Sequence, residues 1–319
     1  MKKLGWGIAA TGGIARTVGA VIAAEPGMRV AAVGSRDAGR AAALAAELGA
    51  ERSYGSYAAL CADPEVDVVY VATPHAQHLA VAEPAIAEGK AVLCEKPLAG
   101  SLADAERMAK LAKDAGVFLM EAMWMRFNPL IRRLAADGRF GEIRSVQASF
   151  GFVAPYDPQH RLWNPATAGG AVLDLGVYPL ALAHLLLGEP EALHVTGTLA
   201  PSGVDAEAGM LLTYAGGARA LLETSLVSPM ANSATVVGTG LRADLPAPFW
   251  APGRMVLSGP GVEPEEHVLD PSRGGYQEQA REVAAALAEG RTESEVMPVA
   301  DSLAVMRRME EVRAALGAA

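Results

Sequence analysis

Cysteine is almost missing from this chain: Cys61 and Cys94 are the only two in 319 residues. A disulfide-rich scaffold is excluded, and both thiols read as reduced and buried, as in a cytoplasmic protein. No Cys/His cluster has metal-ligand spacing, so no metal is expected. A block of basic residues is missing too. The net charge is −9, and the pairs Arg132-Arg133 and Arg307-Arg308 read as solvated helix faces. Nucleic acid is therefore not an expected partner. No apolar run reaches the ~20 residues of a membrane span. Residues 175–187 come closest, but the run is short and carries His184. Met1-Lys2-Lys3 and the apolar stretch to Ala24 resemble a secretory signal. Arg16 and five glycines interrupt it, and residues 4–10 and 11–24 parse better as strand, turn and helix. Lysine is scarce, with 6 against 21 arginines.

What is present is an ordinary globular balance, 51% hydrophobic and 20% charged, in a length that suits two domains. The first 120 residues alternate strand and helix. Short runs rich in Val, Ile, Leu or Ala predict strands at 4–9, 29–34, 67–72, 91–95 and 117–121. Ala-rich helices are predicted at 13–24, 37–48, 56–62, 78–88 and 101–115. This alternation predicts a doubly wound parallel sheet. After a helix near 128–136 the pattern changes to strands at 143–153, 193–199, 208–214, 218–226, 232–239 and 254–257, interrupted by a helix at 170–187. An open, mostly antiparallel sheet is expected there. Two amphipathic helices close the chain. The expected organisation is an α/β Rossmann domain over 1–122 and an α+β domain over 123–319.

Residues 7–15 read G-I-A-A-T-G-G-I-A. Against the dinucleotide fingerprint G-x-G-x-x-G/A, Ala10 takes the first glycine position, Gly12 the second and Ala15 the third. Gly12 lets backbone approach a pyrophosphate, and the following helix N-terminus supplies N–H donors; Thr11, Gly12, Gly13 and Ile14 are the candidates. A Gly-rich structural turn is the plainer reading. The second strand ends in Gly34-Ser35-Arg36-Asp37. An NAD enzyme usually places an acid here for the ribose, whereas Ser35 and Arg36 suit a 2′-phosphate. NADP is expected over NAD, although Ser35 or Asp37 also reads as a helix cap. Thr73, Pro74, His75 and His78 follow the third long strand. His75 is a candidate for the nicotinamide ribose or substrate, and His78 either meets cofactor or substrate or lines the next helix. Glu95-Lys96-Pro97 closes the next strand. A cation there is placed for redox chemistry beside a nicotinamide, though it also reads as a surface lysine.

The helix at 170–187 carries Asp174 and Tyr178, whose i, i+4 spacing puts a carboxylate and a phenol on one stripe. The alternative is a core aromatic and a first-turn dipole partner. Taken with D-V-V-Y-V-A-T-P-H at 67–75, E-K-P at 95–97 and G-G-A-V-L-D-L-G-V-Y at 169–178, the chain resembles the glucose–fructose oxidoreductase / inositol dehydrogenase / MocA-type oxidoreductases nearly end to end. E-A-M-W-M-R-F-N-P at 121–129 and Tyr178 point to the branch of dimeric dihydrodiol and NADP-dependent D-xylose dehydrogenases.

The resemblance implies hydride transfer between NADP and a sugar, cyclic polyol or diol. It implies Lys96, Asp174 and Tyr178 as the functional set, and a homodimer or tetramer formed through the second-domain sheet. Phe150, Phe152, Leu212, Leu222 and Leu226 are apolar positions expected to need covering by a partner copy. The alternative is a cofactor-binding regulator without turnover. Tyrosine ordinarily ionises near ~10, too high for a base at neutral pH, and a nearby ammonium such as Lys96 would favour phenolate. Asp174 would orient Lys96 or a substrate hydroxyl, and Lys96 is the alternative proton donor. Trp124, Arg126, Phe127 and Tyr276 are the substrate candidates; His160, Arg161 and Trp163 are weaker ones.

Overall fold

The computed structural model describes residues 3–270 and 274–319. Met1 and Lys2, which open the charged start considered above, lie outside the described residues. The chain divides into two compact units, residues 1–123 with 276–303 and residues 124–275 with 304–319. The segment 276–303, expected in the second domain, packs with the first. Arg281 pairs with Glu25 at 2.8 Å, and the Leu119 N–H donates to the Thr292 carbonyl at 3.1 Å.

In the first unit the elements run β1 (Leu4–Ala9), α1 (Gly13–Ala24), β2 (Met28–Gly34), α2 (Ala38–Leu48), β3 (Arg52–Tyr54), α3 (Tyr57–Cys61), β4 (Val68–Val71), α4 (His78–Ala87), β5 (Ala91–Cys94), α5 (Leu102–Ala115) and β6 (Leu119–Glu121). The six strands form one parallel sheet in the order β3-β2-β1-β4-β5-β6. β4 and β5 are buried at every position, as strands covered on both faces must be. Helix starts follow local chemistry. Asp37, Ser56 and Ser101 each accept an N–H from the first turn of α2, α3 and α5. The chain order reverses at β1, between β2 and β4. Ligands of such sheets bind at the strand C-termini beside this switch point.

The second unit contains α6 (Pro129–Ala136), β7 (Ile143–Gly151), a π-helical turn (Val172–Gly176) running into α7 (Val177–Leu187), β8 (Ala192–Leu199), β9 (Asp205–Thr213), β10 (Arg219–Ser225), β11 (Ala234–Gly238), β12 (Arg242–Leu245), β13 (Arg254–Gly259) and β14 (Val262–Val268). α8 (Tyr276–Ala288) returns to the first unit, and the division between units falls within α9 (Val299–Leu316). The eight strands run β14-β13-β12-β11-β7-β10-β9-β8; β7 and β10 are parallel and all other pairs antiparallel.

Alternation gives this sheet a covered and an open face. Val146, Ala148, Met210, Leu212, Ala220 and Leu222 are buried, while Gln147, Leu211, Leu221 and Glu223 are exposed. Three of the apolar positions expected to need a partner copy are therefore already enclosed: Leu212, Leu222 and Leu226 are at most 1% exposed. Phe150 is partly buried, and only Phe152 stays open. Leu211 and Leu221 are apolar side chains that do stand on the open face. The run Pro165–Leu187 is long and apolar enough to match a membrane span by length and composition, contrary to the shorter run read from sequence. However, 78% of its apolar window is buried inside the fold, which is the signature of a core helix apolar on all sides.

Candidate active site

The first unit holds a dinucleotide cradle at the C-terminal edge of its sheet. β1 ends at Ala9, and Ala10 turns the chain at φ +128° with its N–H on the Gly34 carbonyl at 3.0 Å. A side chain rarely adopts this conformation, so the substituted glycine of the fingerprint leaves real strain. Ala10→Gly should raise unfolding free energy by about 1 kcal/mol, the relief of a strained φ reduced by glycine's greater entropy when unfolded. Urea titration of the two proteins checks this, and equal midpoints would contradict it. Gly12 is the N-cap of α1 and offers no side-chain cap. A Cβ on Gly12 or Gly13 would meet nothing within 4 Å. The first N–H groups of α1 thus face open space, the geometry that accepts a pyrophosphate.

At the end of β2, Ser35 is buried and its Oγ accepts the Asp37 N–H at 3.2 Å. Asp37 accepts the Arg40 N–H at 3.0 Å as the cap of α2, and that bond holds its carboxyl below the ordinary range. Arg36, beside them, is exposed. At the end of β4, Thr73 is buried and its Oγ1 has no hydrogen-bond partner among the described residues. Buried hydroxyls are rarely left so, and a bound cofactor group at this edge fits the vacancy in its bonding. His75 is nearly buried and edge-on to His78, with ring centroids 5.8 Å apart.

His78, the first residue of α4, is fully enclosed. Its Nε2 lies 2.9 Å from the Thr73 carbonyl and its Nδ1 3.0 Å from the Pro97 carbonyl. Burial lowers its pKa. The ring is a tie linking the two loops that end β4 and β5. Beyond β5, Glu95 is buried and Lys96 half-buried. The Tyr70 phenol donates to Glu95 Oε1, and burial followed by the Glu95 charge pushes that phenol's pKa well up. Glu95 Oε2 accepts the Lys96 N–H at 3.2 Å. Tyr70 thus fixes the carboxylate whose other oxygen braces the backbone of Lys96. Tyr276, at the start of α8, is an electrostatic neighbour of Tyr70 and belongs to this unit.

The second unit presents an aromatic surround for Tyr178. Trp124, Arg126 and Phe127 lie buried on a 3-10 turn at 124–127. The Trp124 Nε1–H donates to the Tyr178 oxygen at 3.0 Å. Phe150 and Trp250 stack face to face with centroids 3.6 Å apart, and lie 5.7 Å and 6.0 Å from the Tyr178 ring. Trp250 escaped the sequence reading because it sits on a loop with no periodic pattern. The available signal was P-A-P-F-W-A-P at 246–252, a proline-stiffened loop displaying aromatics. Asp174 is buried in the π-helical turn and takes a 2.9 Å ion pair from Arg161. Of the weaker candidates, Arg161 thus reaches the site. Trp163 is core, packed with Leu162, Ala171 and Leu175, and His160 is exposed. Among the described residues no group of three or more His, Cys, Asp or Glu could hold a metal ion.

One unit with a parallel sheet and an open helix N-terminus at its switch point, and a second whose buried Asp174 and Tyr178 lie on the helical run that packs on a large mixed sheet, define a nucleotide-dependent oxidoreductase. The family model for the oxidoreductase family with an NAD-binding Rossmann fold matches residues 4–123, and the GFO/IDH/MocA C-terminal domain matches residues 130–243. The chain belongs to the GFO/IDH/MocA oxidoreductase family. It is 36% identical over 326 residues to trans-1,2-dihydrobenzene-1,2-diol dehydrogenase of Mus musculus, spanning 98% of this chain and 97% of that one. The Homo sapiens enzyme of the same name is 36% identical, with the same coverage of each chain. Among solved structures, aldose-aldose oxidoreductase from Caulobacter crescentus complexed with glycerol superimposes with a TM-score of 0.89 at 28% identity, covering 99% of this chain and 98% of that chain. KijD10, a 3-ketoreductase from Actinomadura kijaniata in complex with NADP and TDP-benzene, gives 0.85 at 30% identity and 98% of each chain. The chain is an NAD(P)-binding dehydrogenase that acts on CH–OH groups.

Proposed function

We propose that this oxidoreductase uses NADP to oxidise a carbinol of a sugar or cyclic diol, or to reduce the matching carbonyl, with Tyr178 moving the proton. One observation carries the reading: the Trp124 indole N–H donates into the Tyr178 oxygen. A donor aimed at a phenol oxygen favours phenolate and lowers the cost of giving up the proton. Trp124, Phe150 and Trp250 supply flat apolar walls for a ring-shaped substrate, and the Arg161–Asp174 pair supplies charge for hydroxyl groups. The named relatives act, by their names, on a dihydrodiol and on aldoses.

When bound, the nicotinamide supplies the site that accepts or gives the hydride. In this reading Thr11, Gly12, Gly13 and Ile14 hold the pyrophosphate. Ser35 and Arg36 hold the 2′-phosphate, and Thr73, Pro74, His75, Glu95 and Lys96 line the nicotinamide end. His78 acts from behind by tying the Thr73 and Pro97 loops. Lys96 positions the carbinol oxygen and favours its loss of a proton, and Tyr178 takes that proton. In reduction Tyr178 returns it. The test is absorbance at the reduced-nicotinamide band with NADP and a panel of aldoses and trans-1,2-dihydrobenzene-1,2-diol. Silence across the panel, with NADPH binding retained, would favour a cofactor-binding regulator instead.

The same proposal includes a homodimer, seated on the open sheet face where Leu211 and Leu221 are 37% and 43% exposed. Light scattering at micromolar concentration should show twice the chain mass, and a monomer would contradict it. A cytoplasmic location suits the two buried thiols, whose pKa values burial raises, that of Cys61 to about 11.

A further inference from the structure

The helix that carries Asp174 and Tyr178 has an unusual problem of placement. α7 is buried over its first seven residues, and the π turn before it is buried throughout. A helix apolar on all sides has no single stripe to fix its rotation or its position along its own axis. Packing alone holds such a rod against sliding less firmly than it holds it in the core. The start of the run also lacks a local cap, for Ala171 has no side chain that can serve.

The missing cap comes from a residue distant in sequence. Asp205, the first residue of β9, is fully buried, and its Oδ2 accepts the Val172 N–H at 2.6 Å. The backbone N–H groups of Ala171 and of Asp205 itself favour the charged carboxylate, whose Oδ1 has no hydrogen-bond partner among the described residues. The Thr224 hydroxyl donates to the Ala171 carbonyl at 3.2 Å, so this first turn is held on both its donor and acceptor sides. Arg313 of α9 is the charged group that faces the carboxylate, with Nε 3.9 Å from Oδ1. Glu207, two residues further along β9, turns instead to Thr198 and Ser225. The backbone is fitted around the carboxylate. Gly170 has φ +118°, and a Cβ there would lie 2.3 Å from Asp205 Oδ1. Burial raises the Asp205 pKa to about 6 against the N–H donors and Arg313. The carboxylate is therefore mostly charged at neutral pH, where it complements the positive end of the helix.

We infer that Asp205 is a positioning residue for the reaction: by gripping the first turn, it fixes the depth and rotation at which Asp174 and Tyr178 are presented. The inference rests on the reading of Tyr178 given above. A buried carboxylate is costly to keep, and an apolar residue in its place would leave the Val172 N–H without its acceptor. What an apolar residue cannot do is hold one helix start in one register. A misplacement of about 1 Å at a reacting group can cost on the order of 10²-fold in rate, and Asp205 bonds two residues before Asp174 and six before Tyr178.

The test uses Asp205→Ala and the near-isosteric Asp205→Asn, which keeps an acceptor oxygen for Val172 and protects the test if the alanine variant does not fold. Turnover is measured on whichever member of the aldose and diol panel the wild type accepts, with NADPH affinity followed by fluorescence. Turnover per folded molecule should fall about tenfold or more in Asp205→Ala and less in Asp205→Asn, with NADPH affinity within twofold of wild type. The indole N–H resonance of Trp124, bonded to the Tyr178 oxygen, should shift in both. A merely structural residue would lower the melting temperature and leave the turnover of folded protein and that resonance unchanged; this result in Asp205→Asn and in every variant that folds would overturn the inference. Tyr178→Phe is run alongside. If it keeps its turnover, the reading of the site has failed. If it loses turnover while the Asp205 variants keep theirs, only the Asp205 inference has failed.

Discussion

Tyr178→Phe should turn over its substrate about 10²-fold or more slowly than wild type, the usual range for removing a general acid or base. Its affinity for NADP(H) should stay near wild type, because the cradle belongs to the first unit and Tyr178 to the second. The substitution keeps the ring, its contacts with Phe150 and Trp250, and hence the packing. It deletes only the oxygen that accepts from Trp124. Lys96→Met should lose a similar factor. Its backbone is braced by Glu95, which is fixed in turn by Tyr70, so the change removes the ammonium and not the loop. The double variant should be little worse than the worse single, as residues acting as one unit are not additive. Steady-state turnover with cofactor titrations decides the matter. A Tyr178→Phe enzyme with most of its activity would make Tyr178 a core aromatic and Lys96 the proton donor.

Arg36→Ala should weaken NADPH binding roughly ten- to a hundredfold, the equivalent of about 1.5–3 kcal/mol for hydrogen bonds to a charged group, and leave NADH nearly untouched. The one acid at this strand end is Asp37. Its carboxylate is turned to the N–H of Arg40 and to the Arg40 side chain at 3.4 Å, serving α2. That leaves the exposed guanidinium of Arg36 as the group suited to a 2′-phosphate. Fluorescence titration with both reduced cofactors checks this, and equal affinities in the wild type would sink the NADP assignment.

The Rossmann elements were legible because each buried strand is a short apolar run and α2, α3 and α5 start at local caps, Asp37, Ser56 and Ser101. β3 was not, being three residues with none fully buried. β14 was missed because it is an edge strand reading V-E-P-E-E-H-V, whose charges and Pro264 suit an unpaired margin and hide its period. The candidate site was legible wherever a motif is local: the fingerprint at 7–15, E-K-P, and the Asp174–Tyr178 spacing. It was illegible where partners meet only in the fold. Nothing near Val172 announces that Asp205 caps it. The π winding of 172–176 has no period a sequence window detects, and the stack of Phe150 on Trp250 joins a strand to a distant loop.

The return of residues 276–303 to the first unit has a consequence for the order in which the protein can be made. Synthesis runs from the N-terminus, and domains generally fold as they emerge. Here the nucleotide-binding unit emerges first yet cannot be finished first. The Arg281 partner of Glu25 and the Thr292 partner of Leu119 leave the ribosome only after all of β7 to β14. The early fragment must wait with that flank of its core exposed, and a chain cut short after β14 would hold the fingerprint loop, Lys96 and Tyr178 and still lack a completed cofactor-binding unit.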